Sequence, residues 1–439
     1  MTNAVSTREL ILSILVDVTG GKEYSHIALR NVLDKYRYLP KQERAFITRV
    51  TEGTLERMIE LDYIINQFSK TKVNKMKPVI RNILRMGVYQ LKYMDSVPDR
   101  AACNEAVNLA VRKGFSGLKG FVNGVMRNIS RNLDAISYPS KTDAPNEYLS
   151  VSCSLPLWLV ELWTKEYGYE KTVSMAEAFL EASKTCIRTN LTLTTPEQLR
   201  ARLEEEGVTV ETNPALEYSF FISDYDALDE LDSFGEGWFY VQDTASMMVA
   251  EYADVHPGSY VIDVCAAPGG KSAHMAEKLQ GTGLVEARDV TDYKVELMEE
   301  NIERCQLTNM KAVCQDATVL DESSIEKADL VIADLPCSGL GVLGRKPDIR
   351  YRMTYKQVTE LAALQRQMLS VVHNYVKPGG QLLYSTCTVN HLENENNVEW
   401  FAKEFPQFTL ERMEQIYPVS GQTDGFFIAK FRKEIERFG

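Results

Sequence analysis

The sequence predicts a multidomain protein with an all-α N-terminal domain, a small α+β middle domain and a doubly wound α/β core. Three observations carry this. Apolar residues recur at helical spacing, without strand-like alternation, through the first 135 or so residues. Short β-like runs mix with helices between 149 and 235. From about 236 onward, strand candidates alternate with helical stretches, the pattern of a mainly parallel sheet. The chain has 439 residues, room for two or three domains at roughly 150 residues each. With 44% hydrophobic and 25% charged residues it has ordinary globular composition, which argues against a disordered or fibrous chain.

In chain order, Ser6-x-x-Glu9 reads as a capping box ahead of the stripe Leu10, Ile11, Ile14, Leu15, Val18. Further stripes follow at Phe46, Val50, Leu55, Met58, Ile59 and at Val79, Ile83, Leu84, Val88, Leu91. The Pro98-Asp99 step breaks the chain before a helix through Ala106, Val107, Leu109 and Val111, and a last helix carries Phe121, Val122, Val125 and Met126. The helical domain is therefore expected at 1–137, and the polar, Pro139- and Pro145-containing stretch 138–148 as a linker. In the middle domain, 149–235, helices are expected over 156–166 and 172–182. Thr195 is a cap for a further helix over 196–206, with strands over 186–193, 208–211 and 219–222. The core, 236–439, has strand candidates at 260–264, 283–288, 311–314, 330–333 and 381–383.

The overall charge of −12 disguises an asymmetry. Residues 1–140 hold 22 Lys and Arg against 13 Asp and Glu, a balance of +9, so the remainder carries −21. A basic domain on an acidic body hints at a nucleic-acid partner. No apolar run approaches the roughly 20 residues needed to span a bilayer, and no basic segment leads an apolar core at the N-terminus. A soluble cytoplasmic protein with no membrane partner is expected. The eight cysteines, at 103, 153, 186, 265, 305, 314, 337 and 387, form no C-x-x-C pair, which fits neither a zinc site nor a disulfide scaffold. No metal is expected; a chemically important cysteine would act as a thiolate.

The strongest local signal is Asp263-Val-Cys-Ala-Ala-Pro-Gly-Gly-Lys-Ser272, where a strand passes through a glycine-rich turn into a helix. Glycines let a ligand approach the backbone, and a helix N-terminus offers unpaired N–H groups. Asp289 follows 20 residues after Gly269, just beyond the next strand, where an acidic side chain accepts hydrogen bonds from ribose hydroxyls. Gly270-Lys271-Ser272 mimics the end of a P-loop, but Cys265 stands where that motif requires glycine, and G-x-G-x-x-G is absent. These features describe a crevice for a nucleoside without a long phosphate chain. S-adenosyl-L-methionine fits.

Two further segments follow strands: Asp334-Leu-Pro-Cys-Ser-Gly339 and Tyr384-Ser-Thr-Cys-Thr388. Each puts a cysteine at a strand's carboxyl end, the edge where open α/β sheets keep their ligands. A lone cysteine is better read as a small buried hydrophobe. Two at one edge, one flanked by Asp and Pro, favour chemistry.

Asp263–Ser272, Asp334–Gly339 and Ser385–Thr388 resemble motifs I, IV and VI of the RNA cytosine-5 methyltransferases of the Sun or NSUN family. Tyr89-x-Leu91-x-Tyr93, Val97-Pro98, Asn104-Glu105-Ala106-Val107 and Lys119–Arg127 resemble the NusB-like domain that precedes the core in bacterial 16S rRNA methyltransferases of the RsmB (Sun, Fmu) type. Arg345–Asp348 and Asp424–Lys430 also look like family segments. The resemblance covers nearly the whole chain and is most specific at 260–272 and 334–388; Arg288 departs from it, standing where relatives often carry an apolar residue.

The resemblance implies a NusB-like RNA-binding domain ahead of a Rossmann-like core that uses S-adenosyl-L-methionine. It also implies methyl transfer to C5 of a specific cytosine in 16S rRNA, through a covalent cysteine–C6 adduct. The cofactor would be held by Cys265, Ala266, Ala267, Pro268, Gly269, Gly270, Lys271, Asp289, Asp316 and Asp334. Cys387 resembles the nucleophile and Cys337 the residue that helps release the product. Asp334 would hydrogen-bond the cytosine N3/N4 edge, and Lys271 would hold a positive charge beside the nucleophile. The order of the two cysteines does not say which one attacks; that division rests on the resemblance. A DNA cytosine-5 methyltransferase would attack with the Pro-Cys cysteine and carry no NusB-like domain. A non-enzymatic RNA or transcription-complex binding protein would rest on the helical domain alone, and intact Asp263, Asp289, Asp334, Cys337 and Cys387 argue against it. A monomer acting on 16S rRNA is the expectation.

Overall fold

Apolar stripes at helical spacing fold the N-terminal part into α1 (Thr7–Thr19), α2 (Ser25–Lys35), α3 (Lys41–Glu56), α4 (Met58–Phe68), α5 (Pro78–Tyr93), α6 (Asp99–Arg112) and α7 (Lys119–Arg131). They are followed by α8 (Pro145–Ser152), α9 (Leu157–Tyr167) and α10 (Tyr169–Ala178). The computed structural model describes residues 6–181 and 184–435. The chain separates into two units, one comprising residues up to Leu180 together with Leu343–Arg352, the other the remainder.

In the helical unit, α5 is buried all round, from Ile80 to Leu91, which marks it as the central helix. Its polar side chains are satisfied in place: the Asn82 amide donates to Thr19 Oγ1 (2.9 Å), and the Arg85 Nε donates to Asp62 (2.7 Å). Gly53 and Gly87 leave space for the Tyr89 ring and the Met126 side chain; a Cβ at either would lie within 2.1 and 2.6 Å of them. The expected stripe over 46–59 belongs to two helices, because α3 ends at Glu56 and α4 starts at Met58. The Ser6 capping box does not form: Ser6 makes no side-chain cap, and Glu9 pairs with Arg112 (3.3 Å) and Lys113 (3.2 Å). Within 138–148, Tyr138 donates to the buried Glu60 (2.5 Å), and α8 opens at Pro145.

The second unit starts with a four-stranded antiparallel sheet: β1 (Thr185–Thr189), β2 (Thr209–Thr212), β3 (Ser219–Ser223) and β4 (Phe239–Val241), in the order β2-β3-β1-β4. Thr195 caps α11 (Pro196–Glu205) and forms a capping box with Gln198, as its position predicts. Short α12 (Asp232–Gly235) precedes β4, which lies where the β–α repeats were expected to open and pairs instead with β1.

Helix α13 (Thr244–Tyr252) leads into β5 (Tyr260–Asp263), α14 (Gly270–Lys278), β6 (Leu284–Asp289), α15 (Asp292–Arg304), β7 (Met310–Cys314) and β8 (Ala328–Asp334). Then come α16 (Ile349–Arg352), α17 (Tyr355–Val372), β9 (Val376–Thr386), α18 (Glu395–Glu404), β10 (Phe408–Ile416) and β11 (Phe426–Lys433). The seven strands lie in the order β10-β11-β9-β8-β5-β6-β7. Strands β5 to β9 are parallel, and β11 and β10 add an antiparallel edge. The chain starts at β5, builds outward to β7 and returns to β8 on the other side of β5. The carboxyl ends of β5 and β8 therefore flank the crevice where open α/β sheets bind ligands.

The small sheet is tied to the large one by buried polar contacts. The Arg188 guanidinium on β1 pairs with Glu277 on α14 at 2.6 Å and donates to Gln242 at 2.8 Å; both members of the ion pair are buried. Gly237 lies against Arg304, where a Cβ would sit 2.1 Å from the carbonyl oxygen. In the helical unit, the segment Leu343–Arg352 is anchored by Ser25 donating to Asp348 (2.5 Å) and by Arg350 donating to the carbonyls of Glu56 (2.8 Å) and Phe179 (3.2 Å). No helix among the described residues is long and apolar enough to cross a membrane.

Removing one member of a buried ion pair leaves the other charge uncompensated. Arg188→Ala should lower unfolding stability by about 3–5 kcal/mol in urea titrations. Lys356→Ala, whose pairing with Glu360 is exposed, should change it by less than about 1 kcal/mol.

Candidate active site

Strand β5 ends at Asp263, and the turn that follows is held by its own backbone. Ala266 N–H donates to the Arg288 carbonyl (2.8 Å) and Gly269 N–H to the Ala266 carbonyl (2.7 Å). Gly269 has φ of 102°, a left-handed conformation open to glycine, and α14 starts at the next residue with no side-chain cap on its N-terminus. The Ala267–Pro268 bond is cis. The backbone N–H groups that open α14 at the carboxyl edge of the sheet thus have no side-chain cap, an arrangement that can receive an anionic group.

Asp289, at the end of β6, closes this turn from the side. Its carboxylate accepts from Ala267 N–H (3.1 Å) and Val290 N–H (2.8 Å), and pairs with Lys294 (2.8 Å). Asp316 lies past β7, where Thr318 N–H (2.8 Å) and Oγ1 (2.7 Å) hydrogen-bond it and hold its carboxyl below the usual range. Asp289, Asp316 and the turn Cys265–Lys271 can hold a nucleoside whose hydroxyls need acceptors. Burial raises the Cys265 thiol, and the carboxylates of Asp263, Asp289 and Asp334 add to it, so this cysteine is an inert part of the wall.

At the end of β8, Asp334 pairs with Lys271 at 2.7 Å and accepts from Ser385 Oγ at 2.8 Å. Burial works against the Lys271 charge, but Asp334, with Asp263 and Cys387 behind it, keeps its pKa raised. The ammonium also lies 5.4 Å from the centre of the Phe426 ring. The two cysteines meet: Cys337 Sγ lies 3.3 Å from Cys387 Sγ. Hydrogen bonding to Cys387 and burial push the Cys337 thiol well up. Either sulfur can donate to the other.

Several residues at this edge carry no signal strong enough to single out from sequence. Ser272 Oγ donates to Asp263 (2.6 Å), Ser338 and Thr388 hydroxyls meet at 2.7 Å, and Glu393 lies buried behind both cysteine loops. The polar run Thr388–Asn397 directly after a strand is the one pointer the sequence offered. Arg288 is buried and donates to Glu286 (2.7 Å) and Ser324 (2.5 Å), a local charge cluster in place of an apolar side chain. Among the described residues no group of His, Cys, Asp and Glu is arranged to hold a metal ion.

Burial raises the Asp263 carboxyl to about 7; Asp334 adds to this, while Ser272 and Lys271 oppose it. In the unfolded chain such a group titrates near 4. The folded state therefore holds the extra proton between about pH 4 and 7, and this group's contribution to stability falls as pH rises through that window. Asp263→Asn removes the effect. In urea titrations across that range, the stability of Asp263→Asn relative to wild type should rise up to about pH 7 and level off above it.

The comparisons with known proteins agree with this architecture. The family described as 16S rRNA methyltransferase RsmB/F matches residues 250–432, the NusB family residues 5–131, and the RsmF/B-like ferredoxin-like domain residues 155–225. The probable ribosomal RNA small subunit methyltransferase B of Bacillus subtilis is 35% identical across 98% of this chain and 99% of its own length. The crystal structure of PH0851 superimposes with a TM-score of 0.83 at 25% identity, covering 98% of this chain and 99% of that one. NSun6 from Pyrococcus horikoshii, solved with SFG, gives a TM-score of 0.57 at 25% identity over 62% of this chain and 97% of that one. With a helical NusB-like part, a ferredoxin-like sheet and a Rossmann-like core in that order, the chain belongs to the RsmB/F family of 16S rRNA methyltransferases.

Proposed function

We propose that the protein transfers the methyl group of S-adenosyl-L-methionine to C5 of a cytosine in 16S rRNA, through an adduct between Cys387 and cytosine C6. The observation that carries this reading is the pair of sulfurs 3.3 Å apart beside the Lys271–Asp334 ion pair. The relatives' names support a small-subunit rRNA substrate, and the NSun6 structure with SFG, an analogue of S-adenosylmethionine, supports the cofactor.

Cytosine C5 is a weak nucleophile, and a thiolate bonded to C6 makes it enamine-like. Cys387 is the candidate thiolate by its resemblance to the family's nucleophile; its sulfur lies in hydrogen-bond contact with that of Cys337, and this contact and burial push the Cys337 thiol well up. When bound, S-adenosylmethionine supplies an electrophilic sulfonium methyl. Asp334, oriented by Lys271 and Ser385, is the group to hydrogen-bond the cytosine N3/N4 edge. A base then removes the C5 proton, that electron pair forms the C5–C6 double bond, and Cys387 leaves C6 as the thiolate; Cys337 resembles the residue that helps this release. The target base must leave its stack to reach this edge. The +9 balance of residues 1–140 supports the helical unit as the part that neutralises RNA phosphates.

Methyl transfer from labelled cofactor should go to 16S rRNA and not to DNA. On a denaturing gel with rRNA and cofactor, Cys387→Ala should give no shifted band, whereas Cys337→Ala should accumulate covalently attached RNA. The reverse pattern would exchange the two roles, and no band in either variant would remove the adduct. Asp289→Ala should weaken cofactor binding about tenfold or more in calorimetry, the loss of a charge-assisted hydrogen bond worth roughly 1.5–3 kcal/mol. Unchanged affinity would exclude Asp289 from the site.

A further inference from the structure

The loops that carry Cys337 and Cys387 are held together by a carboxylate that none of the motifs above includes. Glu393 lies six residues past Cys387 and is fully buried. Its Oε1 accepts from Ser338 N–H (2.8 Å) and from the Gln365 amide (3.0 Å). Its Oε2 accepts from Ser338 Oγ (2.5 Å) and from the Asn390 amide (2.6 Å). The four donors are neutral, and burial raises the Glu393 carboxyl despite them. A buried carboxylate with this many donors is costly to place, and its geometry is correspondingly well determined.

The contacts fall on both sides of Cys337. The peptide after it is gripped through Ser338 N–H by Glu393. The peptide before it is gripped through the Pro336 carbonyl, which accepts from the same Gln365 amide at 2.9 Å. Gln365 stands on α17 and is itself oriented by Tyr384 and Asn397, at 3.1 and 2.8 Å. Both peptide planes that define the Cys337 backbone are thus held from one point. That point is covalently close to the Cys387 loop, where Asn390 also bonds Thr388 (3.1 Å) and Thr388 bonds Ser338 (2.7 Å).

We propose that Glu393 is a positioning residue: by clamping the peptides on either side of Cys337 to the Cys387 loop, it sets the separation of the two active-site sulfurs. The catalytic meaning of that separation rests on the reading under Proposed function; the clamp itself does not. The Glu393 carboxylate hydrogen-bonds Ser338, Gln365 and Asn390, and through them it acts on the two loops. A misplacement of about 1 Å at a reacting group can cost on the order of a hundredfold in rate.

Glu393→Gln keeps the size of the side chain but places an NH2 group where one of the donors needs an acceptor. In the full-length protein kcat for methyl transfer should fall roughly 10- to 100-fold, while the Kd for S-adenosylmethionine stays within about twofold. A second readout needs no RNA: diamide should join Cys337 to Cys387, seen as a 2 Da loss by intact mass and a cross-linked peptide, because the sulfurs stand 3.3 Å apart. Glu393→Gln should slow this closure several-fold. Slower closure in a protein whose wild type shows no methyl transfer would uphold the clamp and sink the proposed reaction. Unchanged closure, whether or not kcat falls, would overturn the clamp. If Glu393→Gln does not fold, Ser338→Ala, which removes one donor and keeps the N–H, should move both rates in the same direction by a few-fold, and no change in closure would again overturn it.

Discussion

Strand β8 lies parallel beside β9 with Asp334 opposite Ser385, and the chemistry of the molecule hangs from that register. Pairing continues beyond the strands: Leu335 N–H donates to the Ser385 carbonyl and Gly341 N–H to the Cys387 carbonyl, each at 3.1 Å. The two loops therefore leave the sheet at the same height and stay adjacent. A slip of one residue would turn every side chain of one strand to the opposite face and separate Asp334 from Ser385. Glycine permits the closeness. A Cβ at Gly341 would lie 2.0 Å from the Gly425 carbonyl oxygen and 2.9 Å from that of Cys387.

Charge is distributed unevenly along the chain, as the proposed cofactor and RNA would require. The edge of the large sheet gathers Asp263, Asp289, Asp316 and Asp334, offset by Lys271 and Lys294. An acidic crevice favours a cationic sulfonium and disfavours a polyanion. Nucleic acid needs the opposite field, and the basic balance lies in the first 140 residues. The same division explains why the total charge of −12 is misleading when taken as one number.

Buried polar groups recur wherever the second unit must be rigid. Arg188 and Glu277 join the small sheet to α14, the helix that opens at the glycine-rich turn. Asp289 holds that turn through Ala267 N–H, so a residue read as a ligand contact is also part of the scaffold. Glu393 does the same for the cysteine loops. A buried charge satisfied by several donors tolerates little displacement, which is what a site needs when its reacting atoms must be held within fractions of an ångström.

Local pattern was enough for much of this. The helical periodicity of residues 7–131, the Thr195 cap, the five parallel strands and the glycine-rich turn before α14 are each set by near neighbours in the chain. All were legible because period, caps and breakers act over a few residues. The antiparallel edge was not: six consecutive residues of β10 are exposed and polar-rich, so no alternation marks it, and β11 is buried throughout most of its length. Ser6 was misread because the carboxylate of Glu9 finds two cations about a hundred residues away. The identities of Asp263, Lys271, Asp334, Cys337 and Cys387 were determined by the sequence through their motifs. That Lys271 reaches Asp334, that two sulfurs fifty residues apart meet at 3.3 Å, and that Glu393 clamps them were decided only by the tertiary structure. Those contacts depend on strand register and loop approach between distant segments, which no local pattern encodes.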